Sequence, residues 1–409
     1  MKWLEGLDKI GILCYLFICG FAVANVYSVD EKLGNKQALY LGISLFLGLI
    51  IFAMRTKFFE NLAGVFYIGG VLLLIGLFPF GTEILGQRNW YKFGSMTMQP
   101  VEFAKIGTAL MLANYVSGGD FNLKNNKSLV TSIAIIGIPA FVVLMIPDVG
   151  SVLVFSAFVI ALFREGLSGY VFGVVGVIGA VFLISLAVDP LYVVIAIIIL
   201  AAILIVVNLY RITWDIISIG KYSGILIFLC GLSFASPLIL EKMPDHQRER
   251  ILVLYKGEKA FRDTSGYNLL YSKTAIGSGG FFGKGYKEGS VTQGKFVPEQ
   301  ETDYIFCTVG EEWGFFGSSL LILIYSLFIG RIYYLAEKQK TVFNRVFGYC
   351  FASILLLHFS INLGMVMGLF PTVGIPLPFF SYGGSSLVAF SIMTFVFFKL
   401  NYSDQNSLV

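Results

Sequence analysis

The run VPEQETDYIFCTVGEEWGFFG, residues 297–317, carries five carboxylates: Glu299, Glu301, Asp303, Glu311 and Glu312. Carboxylates accept backbone N–H bonds at helix starts, pair with cations, or take a proton from a reacting hydroxyl. Thr302 and Asp303 stand where an apolar helix begins, so the helix dipole and free N–H groups alone would stabilise an acid there. One cap needs one acid, and five are present. Glu311 and Glu312 lie too far into the helix to cap it and call for cationic partners. The run leads directly into SSLLILIYSLFIG, a stretch suited to lipid.

Three other polar features carry residues of interest. In LGQRNWYKFGSMTMQPVEFAKIG, residues 85–107, Arg88, Trp90 and Lys92 read as a loop, and Pro100 starts a helix. Glu102 and Lys105 then share one helix face. Charges within a span are costly and face a cavity or each other. The pair is therefore either a brace between helices or a substrate contact. In PDVGS, Asp148 sits between two apolar runs, as an N-cap or as a carboxylate facing an outer cavity. The stretch AIGSGGFFGKGY has glycines at 277, 279, 280, 283 and 285 but no GxGxxG, which excludes a dinucleotide fold. Its backbone, with Lys273 and Lys284, would hold a phosphate or would simply be a flexible loop.

The elements that position these residues are membrane helices. Of 409 residues, 57% are hydrophobic and 13% charged, against about 25% charged in a soluble domain. Twelve apolar segments stand out, at about 9–28, 38–54, 62–80, 100–116, 129–147, 150–164, 168–188, 190–208, 223–240, 304–334, 345–366 and 384–400. The tenth is too long for one simple span, which predicts a kink near Gly314 and Gly317. Lys and Arg in the short loops, Arg211 among them, place both termini inside the cell. The loop 241–303 is then extracytoplasmic; its ten Lys or Arg and nine Asp or Glu are expected to fold back onto the bundle. Three prolines and three glycines between 371 and 384 preclude a regular helix, so GLFPTVGIPLPFFSYGGSSL should wall an outward cavity. The five cysteines form no CxxC pair, and His246 and His358 offer no metal spacing. The net charge of +4 gives no sign of nucleic-acid binding.

QRNWYKFGSMTMQPVEFAKI, PDVGS, HQRERI, YSKTAIGSGGFFGKG, FVPEQETDYIFCTVGEEWGFFG and FPTVGIPLPFFSYGGSSL, in that order from 87 to 387, together resemble the SEDS family (shape, elongation, division and sporulation). GSGGFFGKG and FVPEQ are closer to its rod-elongation members than to its division members. The resemblance implies an all-α polytopic bundle forming a single membrane domain over 1–409, with about ten core spans. Residues 186–225 would be an insertion carrying an extra pair. It implies a peptidoglycan glycosyltransferase that polymerises lipid II at the outer face of the cytoplasmic (inner) membrane. A class B penicillin-binding protein would be its transpeptidase partner, beside membrane lipid and other elongation-complex proteins. The family's catalytic aspartate falls on Asp303, in PEQETDY, and its cavity and structural charges fall on Glu102, Lys105 and Asp148, with Glu299 in the motif. Two departures stand out: Glu301 where His is common, and Ile146 where Gln is common.

That chemistry suits the residue types. A lipid pyrophosphate needs charge neutralisation to leave, not a proton. The acceptor hydroxyl needs a base, and one carboxylate suffices. Asp303 takes that role, with Glu301 adding like charge beside it. Arg88, Lys105, Arg248, Arg250, Lys273 and Lys284 are candidates for the pyrophosphate, and Trp90 for a sugar or lipid platform. Glu102, Asp148, Glu299, Glu301 and Glu312 are structural or cavity charges. No cofactor is called for, although a divalent cation (Mg2+ or Mn2+) could share the pyrophosphate charge. Rival readings are a lipid II flippase without chemistry and a scaffold for cell-wall enzymes; no repeated half supports the transporter.

Overall fold

The computed structural model describes residues 6–84, 87–94, 96–146, 148–207, 216–264 and 266–406. Arg211 and Pro147 lie outside them. The chain forms two compact units, Met1–Gly166 with Tyr267–Val409, and Leu167–Gly266.

The first unit opens with α1 (Lys9–Val29), α2 (Glu31–Ala53), α3 (Thr56–Asn61), α4 (Ala63–Ile75) and α5 (Leu77–Phe80). Short antiparallel strands follow, β1 (Thr82–Ile84), β2 (Gln87–Phe93) and β3 (Met96–Met98). The segment read as a loop is thus a strand, paired with β1 and β3, and Gly94 at φ +60° makes the turn into β3. Next come α6 (Pro100–Val116), α7 (Asn126–Met145), α8 (Val149–Phe155) and α9 (Phe158–Arg164). Pro100 occupies the first turn of α6, where its missing N–H costs nothing.

In the second unit, α10 (Tyr170–Ala187), α11 (Pro190–Val207) and α12 (Ile216–Lys242) precede α13 (Asp245–Lys256). Small hydroxyls join these helices. Ser185 and Ser233 meet at 2.8 Å, Ser233 donates to the Pro190 carbonyl at 3.3 Å, and Tyr255 donates to the Leu183 carbonyl at 2.8 Å. The first unit resumes with α14 (Gly266–Ser278), α15 (Ser290–Gln293), α16 (Ile305–Glu337), α17 (Val342–Val366) and α18 (Gly384–Asn406).

Among the described residues ten helices are long and apolar enough to cross a membrane. All twelve expected segments fall on helices. The two that miss the criterion are α6, with 17 residues, and the short apolar stretch Val149–Arg164. Within the first unit α17 and α18 are the most buried spans; within the second, α10 and α11 are largely exposed, as lipid-facing helices are.

The expected break in α16 falls at Gly314, with φ 64° and ψ −160°. The glycine-rich loop explains how the break is tolerated. Lys284 N and Gly285 N donate to the Glu311 and Glu312 carbonyls at 3.0 and 3.1 Å. Beyond the break, Phe315 N and Phe316 N donate to the carbonyls of Gly280 and Phe281 at 2.9 and 3.0 Å. Backbone groups released by the kink are therefore paired. A Cβ at Gly279 or Gly283 would collide with the carbonyls of Gly310 or Glu312, so these glycines permit close backbone approach. In this structure the loop is a clasp on a broken helix.

Candidate active site

A strap of irregular backbone, residues 371–383, joins α17 to α18 and organises one end of the first unit. Its centre is anchored by Phe379, which meets Tyr15, Phe328 and Phe390 edge-on at 5.4, 5.9 and 5.7 Å. Tyr325 donates to the Pro378 carbonyl. Thus the expected wall of prolines and glycines is a fixed element, nailed down by aromatic packing.

The strap meets the acidic run and the PDVGS segment. Tyr304 and Thr372 hydroxyls meet at 3.0 Å. Gly150 of α8 lies so close to the Val373 carbonyl that a Cβ would reach 2.6 Å from it. Gly374, at φ +73°, leaves space for the Asp303 carboxylate; a Cβ there would sit 3.3 Å from Oδ2. Asn362 of α17 donates from Nδ2 to the carbonyls of both Asp303 and Ile375, each at 2.8 Å. One buried amide thus ties the Asp303 turn to the strap. Ser381 donates to the Thr302 carbonyl, and Tyr382 N to the Glu301 carbonyl at 2.8 Å.

Asp303 is not the helix cap. Helix α16 begins at Ile305, and the cap position is Tyr304. The turn before it is shaped by Glu299, at φ +58°, whose carboxylate accepts from Thr302 Oγ1 at 3.0 Å. Glu299 and Glu301 line an open cleft of about 220 Å³ together with Asp30 and Lys295.

Glu102 and Lys105 are 3% and 1% exposed. Lys105 Nζ meets both Glu102 oxygens and His358 Nε2 at 2.9 Å. These three contacts equal the number of ammonium hydrogens, so in this arrangement protein groups satisfy the cation that was a candidate for pyrophosphate. Asp148 is the N-cap of α8, accepting from Ser151 N at 2.9 Å and Ser151 Oγ at 2.7 Å, and from Asn89 Nδ2 of β2 at 3.1 Å. Burial pushes its carboxyl above the usual range, against the pull of the Ser151 hydrogen bonds and the Lys105 charge.

The other candidates are dispersed. Arg88 on β2 is exposed, 3.7 Å from Glu83, and Trp90 shares that strand. Lys273 lies on α14. Arg248 and Arg250 lie on α13 of the second unit, where Arg248 pairs with Asp245 at 2.7 Å. Lys284 donates to fully buried Glu311 at 2.7 Å and to Ser278 and Ser290 at 2.8 Å. Glu311 also accepts from Val291 N at 3.0 Å, and from Thr292 N and Oγ1 at 2.8 Å, so it locks α15 to α16. Glu312 meets neutral donors, Ser28 and Gln293, where a cation was expected. Among the described residues no three His, Cys, Asp or Glu side chains converge on a metal position.

Sequence reasoning weighed His358 only for metal binding and passed over Asn362. The available signal was their polarity inside an otherwise apolar helix, which is costly unless such groups are used.

The profile of the cell cycle protein family named for FtsW, RodA and SpoVE matches residues 7–213 and again 190–406. The chain belongs to the FtsW/RodA/SpoVE family. Both matches include 190–213, within the segment read as an insertion. Among its FtsW/RodA/SpoVE relatives, the peptidoglycan glycosyltransferase MrdB of Escherichia coli K12 is 30% identical over 93% of this chain and 90% of its own length. The peptidoglycan glycosyltransferase RodA of Treponema pallidum is 27% identical over 97% and 95%. The fold is shared with a chain from a structure described as coordinating polymerisation and crosslinking in a peptidoglycan synthase complex, at TM-score 0.72, 24% identity and coverage of 97% and 98%. It is also shared with the rod shape determining protein RodA of Thermus thermophilus, at TM-score 0.64, 23% identity and coverage of 99% of both chains.

Proposed function

We propose that this membrane protein is a peptidoglycan glycosyltransferase that polymerises lipid II during cell elongation. The observation that carries the reading is the setting of Asp303. Its turn is held to the strap by Asn362, and its carboxylate packs against Gly374, where a Cβ would sit 3.3 Å from Oδ2. Relatives named peptidoglycan glycosyltransferase support the reaction class.

In the proposed reaction Asp303 takes the proton of the acceptor hydroxyl as its oxygen attacks the anomeric carbon of the donor. The bond to the lipid pyrophosphate breaks, and the pyrophosphate leaves as an anion. Arg88 and Lys273 are proposed to neutralise it; Lys105 and Lys284 contribute through the groups they hold. The reaction takes place at the outer face of the cytoplasmic membrane, with both termini inside. A class B penicillin-binding protein is the proposed partner, in line with the synthase complex whose fold is shared.

The test is glycan polymerisation from purified lipid II with the partner present. General-base assistance is worth about 10²–10⁴-fold, so Asp303→Ala should lose at least a hundredfold in turnover while keeping its thermal midpoint. A folded Asp303→Ala protein with wild-type turnover would refute the assignment.

A further inference from the structure

His358 sits on α17 between two groups that belong to different parts of the site. Nε2 lies 2.9 Å from Lys105 Nζ, and Nδ1 lies 3.1 Å from the Pro376 carbonyl of the strap. The chemistry of these partners fixes the ring's state. A carbonyl can only accept, so Nδ1 carries a hydrogen. An ammonium can only donate, so Nε2 keeps its lone pair. The imidazole is therefore the neutral Nδ1–H tautomer. Phe390 completes the arrangement: its ring stands perpendicular to that of His358 with centroids 5.0 Å apart, and Lys105 Nζ lies over its face, 5.1 Å from the centroid.

We propose that His358 is a positioning residue for the polymerase reaction, joining the buried Lys105–Glu102 pair to the strap whose Gly374 leaves room for Asp303. Pro376 is two residues from Gly374 and next to Ile375, whose carbonyl shares Asn362 with Asp303. His358 and Asn362 are one helical turn apart on α17, so one face of that helix holds the strap at two successive points. Proline has no N–H, which leaves the carbonyl as the only polar backbone handle at 376. Without the ring this carbonyl and one Lys105 hydrogen lose these partners together, and the strap loses this link to α6.

The proposal rests on the glycosyltransferase reading, and the experiment separates the two. His358→Gln, His358→Phe and His358→Ala are compared in the full-length protein. A glutamine can donate from Nε2 to Pro376 and accept at Oε1 from Lys105, keeping the polarity of both contacts. Phenylalanine keeps the ring shape without them. Two readouts are taken. Amide hydrogen exchange of residues 371–377 should rise at least tenfold in the Phe and Ala variants and stay within threefold of wild type in the Gln variant. Turnover of purified lipid II with the partner should fall at least thirtyfold in Phe and Ala with KM within threefold. The Gln variant should keep at least a third of wild-type turnover and the same pH profile. Unchanged strap exchange in folded His358→Phe would overturn the proposal whatever the activity. So would a Gln variant as slow as Ala, or one with an altered pH profile, which would point to proton transfer by the imidazole. A wild-type protein that polymerises nothing, with strap exchange responding as described, would sink the glycosyltransferase reading alone.

Discussion

Replacing the Glu102–Lys105 pair separates the two roles its sequence allows, brace or participant. Both side chains are almost wholly buried, and the ammonium makes three contacts at 2.9 Å. Lys105→Met removes the cation and strands a carboxylate, which should cost about 3–5 kcal/mol. Adding Glu102→Met removes the stranded charge as well. The only polar atom then left unmet is the His358 Nε2 lone pair, worth about 1–3 kcal/mol. The double variant should therefore be more stable than Lys105→Met alone by about 2 kcal/mol, although it carries more changes. Unfolding in mixed detergent–SDS micelles would read this difference. Polymerisation of lipid II by the double variant should nevertheless stay at least tenfold below wild type, because the hold on His358 and the positive charge near Asp148 are gone. A double variant no more stable than Lys105→Met would refute the desolvation reasoning. One with wild-type turnover would make the pair a brace and nothing more.

Two further outcomes follow from the same geometry. Glu311→Gln should lose about 2–4 kcal/mol, because the Lys284 ion pair goes and an amide NH2 must face one of the donors around it; an unchanged thermal midpoint in detergent would count against the clasp. Asp148, whose carboxyl burial pushes upward, binds its proton more readily in the folded state. Stability should thus rise as pH falls from neutral through the folded-state pKa, and this gain should end below the unfolded value of about 3.9. The slope in that window should be absent from Asp148→Asn; equal slopes in the two proteins would show that another group is responsible.

Much of the architecture was legible in the residues alone. Lipid imposes a strict length and composition on a helix, so the twelve apolar segments fall on helices, two of them on a pair each, and the overlong tenth breaks at Gly314, one of the two glycines expected to kink it. Asp148 caps its helix as an Asp in that place should. Other features resisted. The strand through Arg88 and Trp90 lacks the polar–apolar alternation that would announce it, and it needs the flanking strands to form. The glycine-rich loop read as either a phosphate cradle or slack; its role depends on carbonyls freed thirty residues later by the kink.

The sequence by itself determined a many-span helical membrane protein, the segments that span, and the polar motifs between them, because these depend on local composition and on the absence of water in a bilayer. Its motifs also pointed to the family that the comparisons bear out. Tertiary structure alone decided which polar groups meet. Glu102 and Lys105 are adjacent on any helix, but only folding brings His358, 253 residues away, to the same ammonium. Lys284 goes to Glu311, and Glu312 gets neutral partners, because a charge in a dry interior is satisfied by whatever the packing places beside it. Asp303, which the chain presents as one of five acids, is distinguished by a glycine 71 positions later that lacks the carbon which would crowd it.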